Sequence, residues 1–186
     1  MDEQALRTLM ESSGALRQGH FLRASGRHSD HYVQIARLFE QPDTAAQVAG
    51  ALAARCTDKG AQVVLGAALG GLLPGWEVAR ALGLPFLYCE RKDGAMTLRR
   101  GFDIAKGTKV LLVEDEVQTG TSVREMQEIV RALGGQVVGV GCVVDKSGGR
   151  LHLDAPFEAL LTVDAHHYPA KGCPLCEQGL PAEPSP

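Results

Sequence analysis

The stretch from Val110 to Ser122, VLLVEDEVQTGTS, limits what this chain can fold into more than any other. Val110, Leu111, Leu112 and Val113 form an unbroken apolar run, the pattern of a strand buried on both faces of a parallel sheet. The chain then turns acidic at Glu114, Asp115 and Glu116, and ends in a small, hydroxyl-rich turn, Thr119, Gly120, Thr121 and Ser122. From Ser122 to Leu133 the pattern is helical. Strand, loop and helix N-terminus in that order make an anion site. The first-turn N–H groups have no intrahelical partner and lie at the positive end of the helix dipole. Small hydroxyl residues let a phosphate approach the backbone and offer it donors. The acids cannot also hold phosphate, so their partners are hydroxyl groups or a hydrated divalent cation. One ligand carrying both a phosphate and a diol is a phosphorylated sugar.

This stretch resembles the signature of the type I phosphoribosyltransferases, in which an apolar strand precedes two adjacent acids and a Thr/Gly/Ser-rich loop. The resemblance implies that Glu114 and Asp115 contact the ribose hydroxyls of phosphoribosyl pyrophosphate. It implies equally that Glu116, Val117, Gln118, Thr119, Gly120, Thr121 and Ser122 wrap its 5-phosphate. Neither GxxxxGK[ST] nor the dinucleotide fingerprint GxGxxG occurs.

A chain of 186 residues, 45% hydrophobic and 22% charged, has the material for one well-buried domain. Its net charge of −3 and lack of a basic tract exclude nucleic acid as the default partner. No apolar run is long enough to span a bilayer, and the N-terminus lacks the pattern of a signal peptide, so a cytoplasmic protein is expected. Cys56, Cys89 and Cys142 stand in apolar surroundings and read as reduced core residues.

Taken in order, Gln4 to Arg17 reads as a helix with Leu6, Leu9 and Met10 on one face. Phe21, Leu22, Tyr32, Val33 and Ile35 then flank a polar turn from Ser25 to Asp30, the pattern of two short strands. This segment resembles the N-terminal hood of orotate phosphoribosyltransferases, matched here by Phe21, Ser25, Gly26, Ser29 and Tyr32. The resemblance places Phe21, Ser25 and Gly26 at the base. It departs at Ala24, where relatives often carry a cation; Arg23 stands one place early.

Asp43 to Arg55 reads as an amphipathic helix behind Pro42, and Gln62 to Leu65 as the first core strand. The glycine-rich loop after it, with Ala68, Leu69, Gly70 and Gly71, leads into a helix from Leu72 to Leu82. By resemblance this loop binds pyrophosphate. A strand from Pro85 to Cys89 precedes ERKDGAMTLRRGF, where Arg91, Lys92, Arg99 and Arg100 surround a glycine. Such cations suit a closing loop over a pyrophosphate leaving group. The resemblance makes this the mobile catalytic loop shared with a neighbouring subunit, with Arg91 and Lys92 as its opening pair. The Lys and His that usually follow are replaced by Gly94, Ala95, Met96 and Thr97.

Gln136 to Val144 reads as a buried strand that delivers Asp145 and Lys146 to the ligand edge of the sheet, and Phe157 to Val163 as a last strand. Where the orotate-using relatives carry an Arg and a Thr against the base, this chain has Lys146 and Gln118. Cys173 and Cys176 form a CxxC with His166 and His167 just before it, a candidate zinc knuckle or a plain pair of thiols.

Periodicity alone predicts α/β with a central parallel sheet flanked by helices. The resemblance adds the type I phosphoribosyltransferase fold with a small N-terminal hood: hood about 1–40, core about 41–165, a domain ending near 176 and a disordered tail over 177–186. It implies a homodimeric, Mg2+-dependent orotate phosphoribosyltransferase of pyrimidine nucleotide biosynthesis, with Mg2+ carried by the substrate and not by a direct protein ligand. Two other readings stay open: the same transfer to another nucleobase, and a non-catalytic nucleotide sensor.

Overall fold

The structure is a computed structural model and describes residues 1–184. Its centre is a six-stranded sheet of order β5-β4-β3-β6-β7-β8. These strands are β3 (Val63–Ala67), β4 (Phe86–Lys92), β5 (Ala95–Leu98), β6 (Lys109–Val117), β7 (Gln136–Asp145) and β8 (Phe157–Thr162). All pair in parallel except the β5 edge. Consequently β3, β6 and β7 all end at one edge, where α/β sheets bind ligands.

The apolar run Val110–Val113 is buried on both sides, as its lack of alternation predicts. Leu111 and Val113 face a core shared with α1 (Glu3–Ser12), α2 (Pro42–Cys56) and α3 (Leu72–Leu82), while Val110 and Leu112 face the core under α4 (Thr121–Ala132). In α2, small residues, Ala45, Ala49 and Ala53, alternate with Val48 and Leu52 on the buried face, which lets the helix lie close to the sheet. In α4 the buried residues Val123, Met126, Gln127 and Val130 follow the i, i+3, i+4, i+7 stripe. Cys56, Cys89 and Cys142 are free and buried.

A second sheet of order β10-β1-β2-β9 forms the hood. The antiparallel pair β1 (Leu16–Leu22) and β2 (His28–Val33) is flanked by β9 (His167–Tyr168) and β10 (Glu183–Pro184). Between the last two lies the short helix α5 (Pro174–Glu177). The hood is thus built from both ends of the chain. Here the structure departs from the expected tail disorder: Phe21 and Leu22 pair in parallel with Glu183 and Pro184, and Arg17 meets Glu183 at 2.6 Å. Residues 185–186 lie outside the described part. The first helix ends at Ser12, just before the Gly14–Gly19 stretch where its end was expected, because Gly14 turns the chain with φ +71° and Leu16 already pairs with Val33.

Among the described residues no helix is long and apolar enough to cross a membrane.

Candidate functional site

Strand β6 runs further than its apolar run. Glu114 pairs with Cys142, Glu116 with Val144 and Val117 with Asp145, so the three acids are strand residues and not loop residues. Strand alternation turns Glu114 and Glu116 to one side and Asp115 to the other. Burial, and after it the charges of Asp115 and Glu116, push the Glu114 carboxyl up to about 8. Burial and then Glu116 raise Asp115 to about 6, against the lowering effect of backbone hydrogen bonds and Lys146. At neutral pH Glu114 therefore retains its proton while Asp115 is mostly ionised.

The glycine loop packs directly under these acids. A Cβ on Gly70 would lie 2.6 Å from Asp115 Cγ, and one on Gly71 would lie 2.8 Å from Glu114 Oε2. Only glycine fits at either position without pushing a carboxylate away. The Ala68–Leu69 peptide is cis, and Leu69 projects outward at 84% exposure.

On the other side of the acids, Glu114, Glu116, Gln118, Thr119, Gly120, Thr121 and Ser122 line a concavity of about 130 Å³. Gly120 has φ +74°, which turns the chain so that α4 starts facing this space, and as the N-cap residue it offers no side chain to cap the helix. Thr119 Oγ1, 2.9 Å from the Thr121 hydroxyl, accepts from the Thr121 N–H at 3.4 Å, and the next first-turn N–H groups open onto the same space, the arrangement of an anion cradle. Arg124 holds the loop by donating to the Thr119 carbonyl at 2.6 Å. Val117 takes part only through its backbone, accepting from Lys146 N–H at 2.7 Å, since its side chain is core.

Gln118 and Lys146 line a larger concavity of about 420 Å³ with Arg124 and Arg150. Lys146 is not a free cation there: its Nζ donates to Glu116 Oε1 at 2.8 Å and its side chain is 2% exposed. Under the hood, Arg23, Tyr32, Asp115 and Glu116 line a third space of about 290 Å³. Positive charge converges between hood and sheet edge. Burial first, then Arg23, Lys146 and Arg27, hold His167 down at about 4, and its buried Nε2 has no hydrogen-bond partner among the described residues.

Two expectations are corrected. Phe21 is 1% exposed and packs on Tyr32, so it is the core of the hood and not a ligand contact. Ser25 and Gly26 form the exposed hood turn, with Gly26 at φ +74°. The basic segment is a hairpin of β4 and β5, closed by Asp93 and Gly94 with φ +52° and +84°. There Arg91 pairs with Glu125 of α4 at 2.5 Å, and Arg99 and Arg100 both reach Glu90, at 3.2 and 3.0 Å. Lys92 is exposed in the same hairpin. The structure therefore gathers Gly70, Gly71, Glu114, Asp115 and the 116–122 loop, while the 90–102 cations sit on the sheet's far edge. Arg124 and Arg150 escaped the sequence reading of the site, since single cations in polar turns carry no periodic signal, and Arg23 was read only as a cation one place early in the hood.

Residues 34–175 match the phosphoribosyl transferase domain family. The chain is 46% identical over 182 residues to the orotate phosphoribosyltransferase of Desulforamulus reducens, covering 98% of this chain and 95% of that protein. It is 45% identical over 178 residues to that of Thermotoga maritima, covering 96% and 95%. Among solved structures, orotate phosphoribosyltransferase from Aeropyrum pernix superposes with a TM-score of 0.70 at 25% identity, over 84% of this chain and 93% of that one.

Proposed function

The chain belongs to the phosphoribosyl transferase family, and from that premise we propose that it transfers the 5-phosphoribosyl group of phosphoribosyl pyrophosphate to orotate. The products are orotidine 5'-monophosphate and pyrophosphate, a step of pyrimidine nucleotide biosynthesis in the cytoplasm. The observation that carries the transfer is the packing of Gly70 and Gly71 against Asp115 and Glu114 beside the anion cradle. Phosphate loop, paired acids and glycine loop follow one another as 5-phosphate, ribose diol and pyrophosphate do in the substrate.

Glu114 and Asp115 accept from the ribose hydroxyls and oppose the positive charge that develops on the sugar ring as the C1–O bond to pyrophosphate breaks. The free N–H groups of α4 fix the 5-phosphate. The orotate ring nitrogen forms the new bond at C1 as its electron pair arrives and the pyrophosphate departs with the old one. A carboxylated base fits the positive charge of Arg23 and Arg27, which after burial, and with Lys146, holds His167 down at about 4. Lys in place of Arg keeps the charge at this position without the bidentate fork. When bound with the substrate, Mg2+ supplies charge neutralisation at the pyrophosphate. The hard oxygens of Glu114 and Asp115, whose carboxyls burial and then neighbouring acids, Glu116 among them, raise to about 8 and about 6, are the donors that would hold it through hydroxyls or water.

The reading includes a homodimer, since Leu69, Leu73 and Trp76 expose 84%, 53% and 57% of their surface around the start of α3. The basic hairpin, paired within its own chain away from the acids, then serves the partner's site after leaving Glu125 and Glu90.

The test is a nucleobase panel with phosphoribosyl pyrophosphate and Mg2+. Pyrophosphate release with orotate, and not with adenine, hypoxanthine or uracil, is expected. Release with another base alone would move the assignment to that base, and tight substrate binding without turnover on any base would make the chain a sensor.

A further inference from the structure

The tail cysteines meet different histidines from the ones beside them in sequence. His166 is taken by Asp30, through its N–H at 2.9 Å and its Nδ1 at 3.1 Å, and His167 forms β9. Instead, Cys173 and Cys176 fold back onto the hood hairpin. There Leu22 pairs with His28, and a bulge between Gln18 and Phe21 turns His20 toward the same point. One ligand atom from each of His20, His28, Cys173 and Cys176 falls within 4.8 Å of all the others. His20, His28 and Cys173 are buried.

We infer that His20, His28, Cys173 and Cys176 form a tetrahedral zinc site that fastens the C-terminal segment to the hood. Zinc bond lengths to imidazole and thiolate put the edges of such a tetrahedron at roughly 3.3 to 3.8 Å. Cys176 Sγ lies 3.3 Å from His28 Nδ1 and 3.8 Å from His20 Nε2, and Cys173 Sγ lies 3.7 Å from His20 Nε2. His20 Nε2 and His28 Nδ1 stand closer, at 2.7 Å, so a metal between them spreads the rings by roughly 0.6 Å. His20 is also oriented as a ligand: its Nδ1 donates to the Leu180 carbonyl at 2.7 Å, which leaves Nε2 with the lone pair facing the cluster. Two thiolates and two imidazoles with no open position make a closed, structural site for zinc.

The site is separate from the acids and the anion cradle, and it stands whether or not the base is orotate. Its position explains why a sheet of short strands holds the two chain ends together: β9 and β10 each pair through only two residues, and the metal joins the segment between them to β1 and β2.

The test is metal analysis of the full chain purified without chelator or affinity nickel, together with cobalt reconstitution of the wild type. About one zinc per chain is expected, with cobalt–thiolate absorption after exchange. Cys173→Ser and His20→Ala should each drop the zinc content below roughly one tenth of an equivalent, while His166→Ala should keep it. Chelation of the wild type should lower Tm and expose Leu16–Leu22 amides to hydrogen exchange without moving those of β6. Wild type that holds no zinc and gives no cobalt–thiolate band with its thiols reduced would overturn the site. So would a Cys173–Cys176 disulfide found by mass in protein expressed with excess zinc, or zinc retained by Cys173→Ser and lost by His166→Ala.

Discussion

Glu114 shows how far burial and neighbouring acids can move a single carboxyl. Its carboxyl is raised from 4.5 to about 8 by burial first and by Asp115 and Glu116 after it. A folded-state value above the unfolded one means that the ionised form is the disfavoured one. The contribution of Glu114 to stability is therefore fully present below pH 4.5 and is lost as pH rises through about 8. Urea unfolding of the unliganded protein should show this decline, of roughly 3 to 5 kcal/mol at most, and Glu114→Gln should flatten it. Gly70 makes a second prediction at this scale. Gly70→Ala puts a methyl group 2.6 Å from Asp115 Cγ and must displace the carboxylate. Turnover should fall about 100-fold, the cost of a misplaced reacting group, with Tm nearly unchanged. The glycine pair and the acids were both legible in the sequence as types suited to a sugar phosphate. That they touch was not, because Gly70 and Asp115 sit on different strands' ends. Phe21 was misread for a related reason: a motif position says which residue recurs, and not whether its ring faces ligand or core.

Among the elements, β6 and α4 were the most legible, since an apolar run and a helical stripe each announce their own period. The sequence reading ended the strand at Val113, where polarity rises, yet the strand continues to Val117 through its pairing with β7. Tertiary pairing carries acids into a strand that local pattern would end. The hairpin of β4 and β5 shows the converse. Asp93-Gly94 is a strong turn signal, but the surrounding charges made the segment look like a loop. Gly120 is the hinge between strand and helix, with φ +74° and a Cβ that would meet Leu151 at 3.0 Å. Gly120→Ala should cost about 1 to 2 kcal/mol in urea unfolding and weaken binding of the substrate's 5-phosphate, measured as a raised KM for phosphoribosyl pyrophosphate.

At the scale of the molecule, both chain ends converge on the hood while the parallel sheet holds the acids, so the hood is tied to the C-terminal segment. Nothing in local sequence pattern could pair His20 with Cys173, because their meeting is set by the topology of the second sheet. The outward face of α3 carries the remaining whole-molecule prediction. Trp76→Glu should shift sedimentation from dimer to monomer and lower turnover, because the basic hairpin would lose its partner site; a dimer that survives would place the interface elsewhere. Asp115, packed against Gly70, is the proposed ribose contact on which the transfer depends most. The direct measurement is orotate-dependent pyrophosphate release by wild type and Asp115→Asn side by side, with phosphoribosyl pyrophosphate binding followed in parallel. Turnover reduced about 100-fold or more, with binding weakened far less, is the predicted result. A variant that turns over within about threefold of wild type would contradict it.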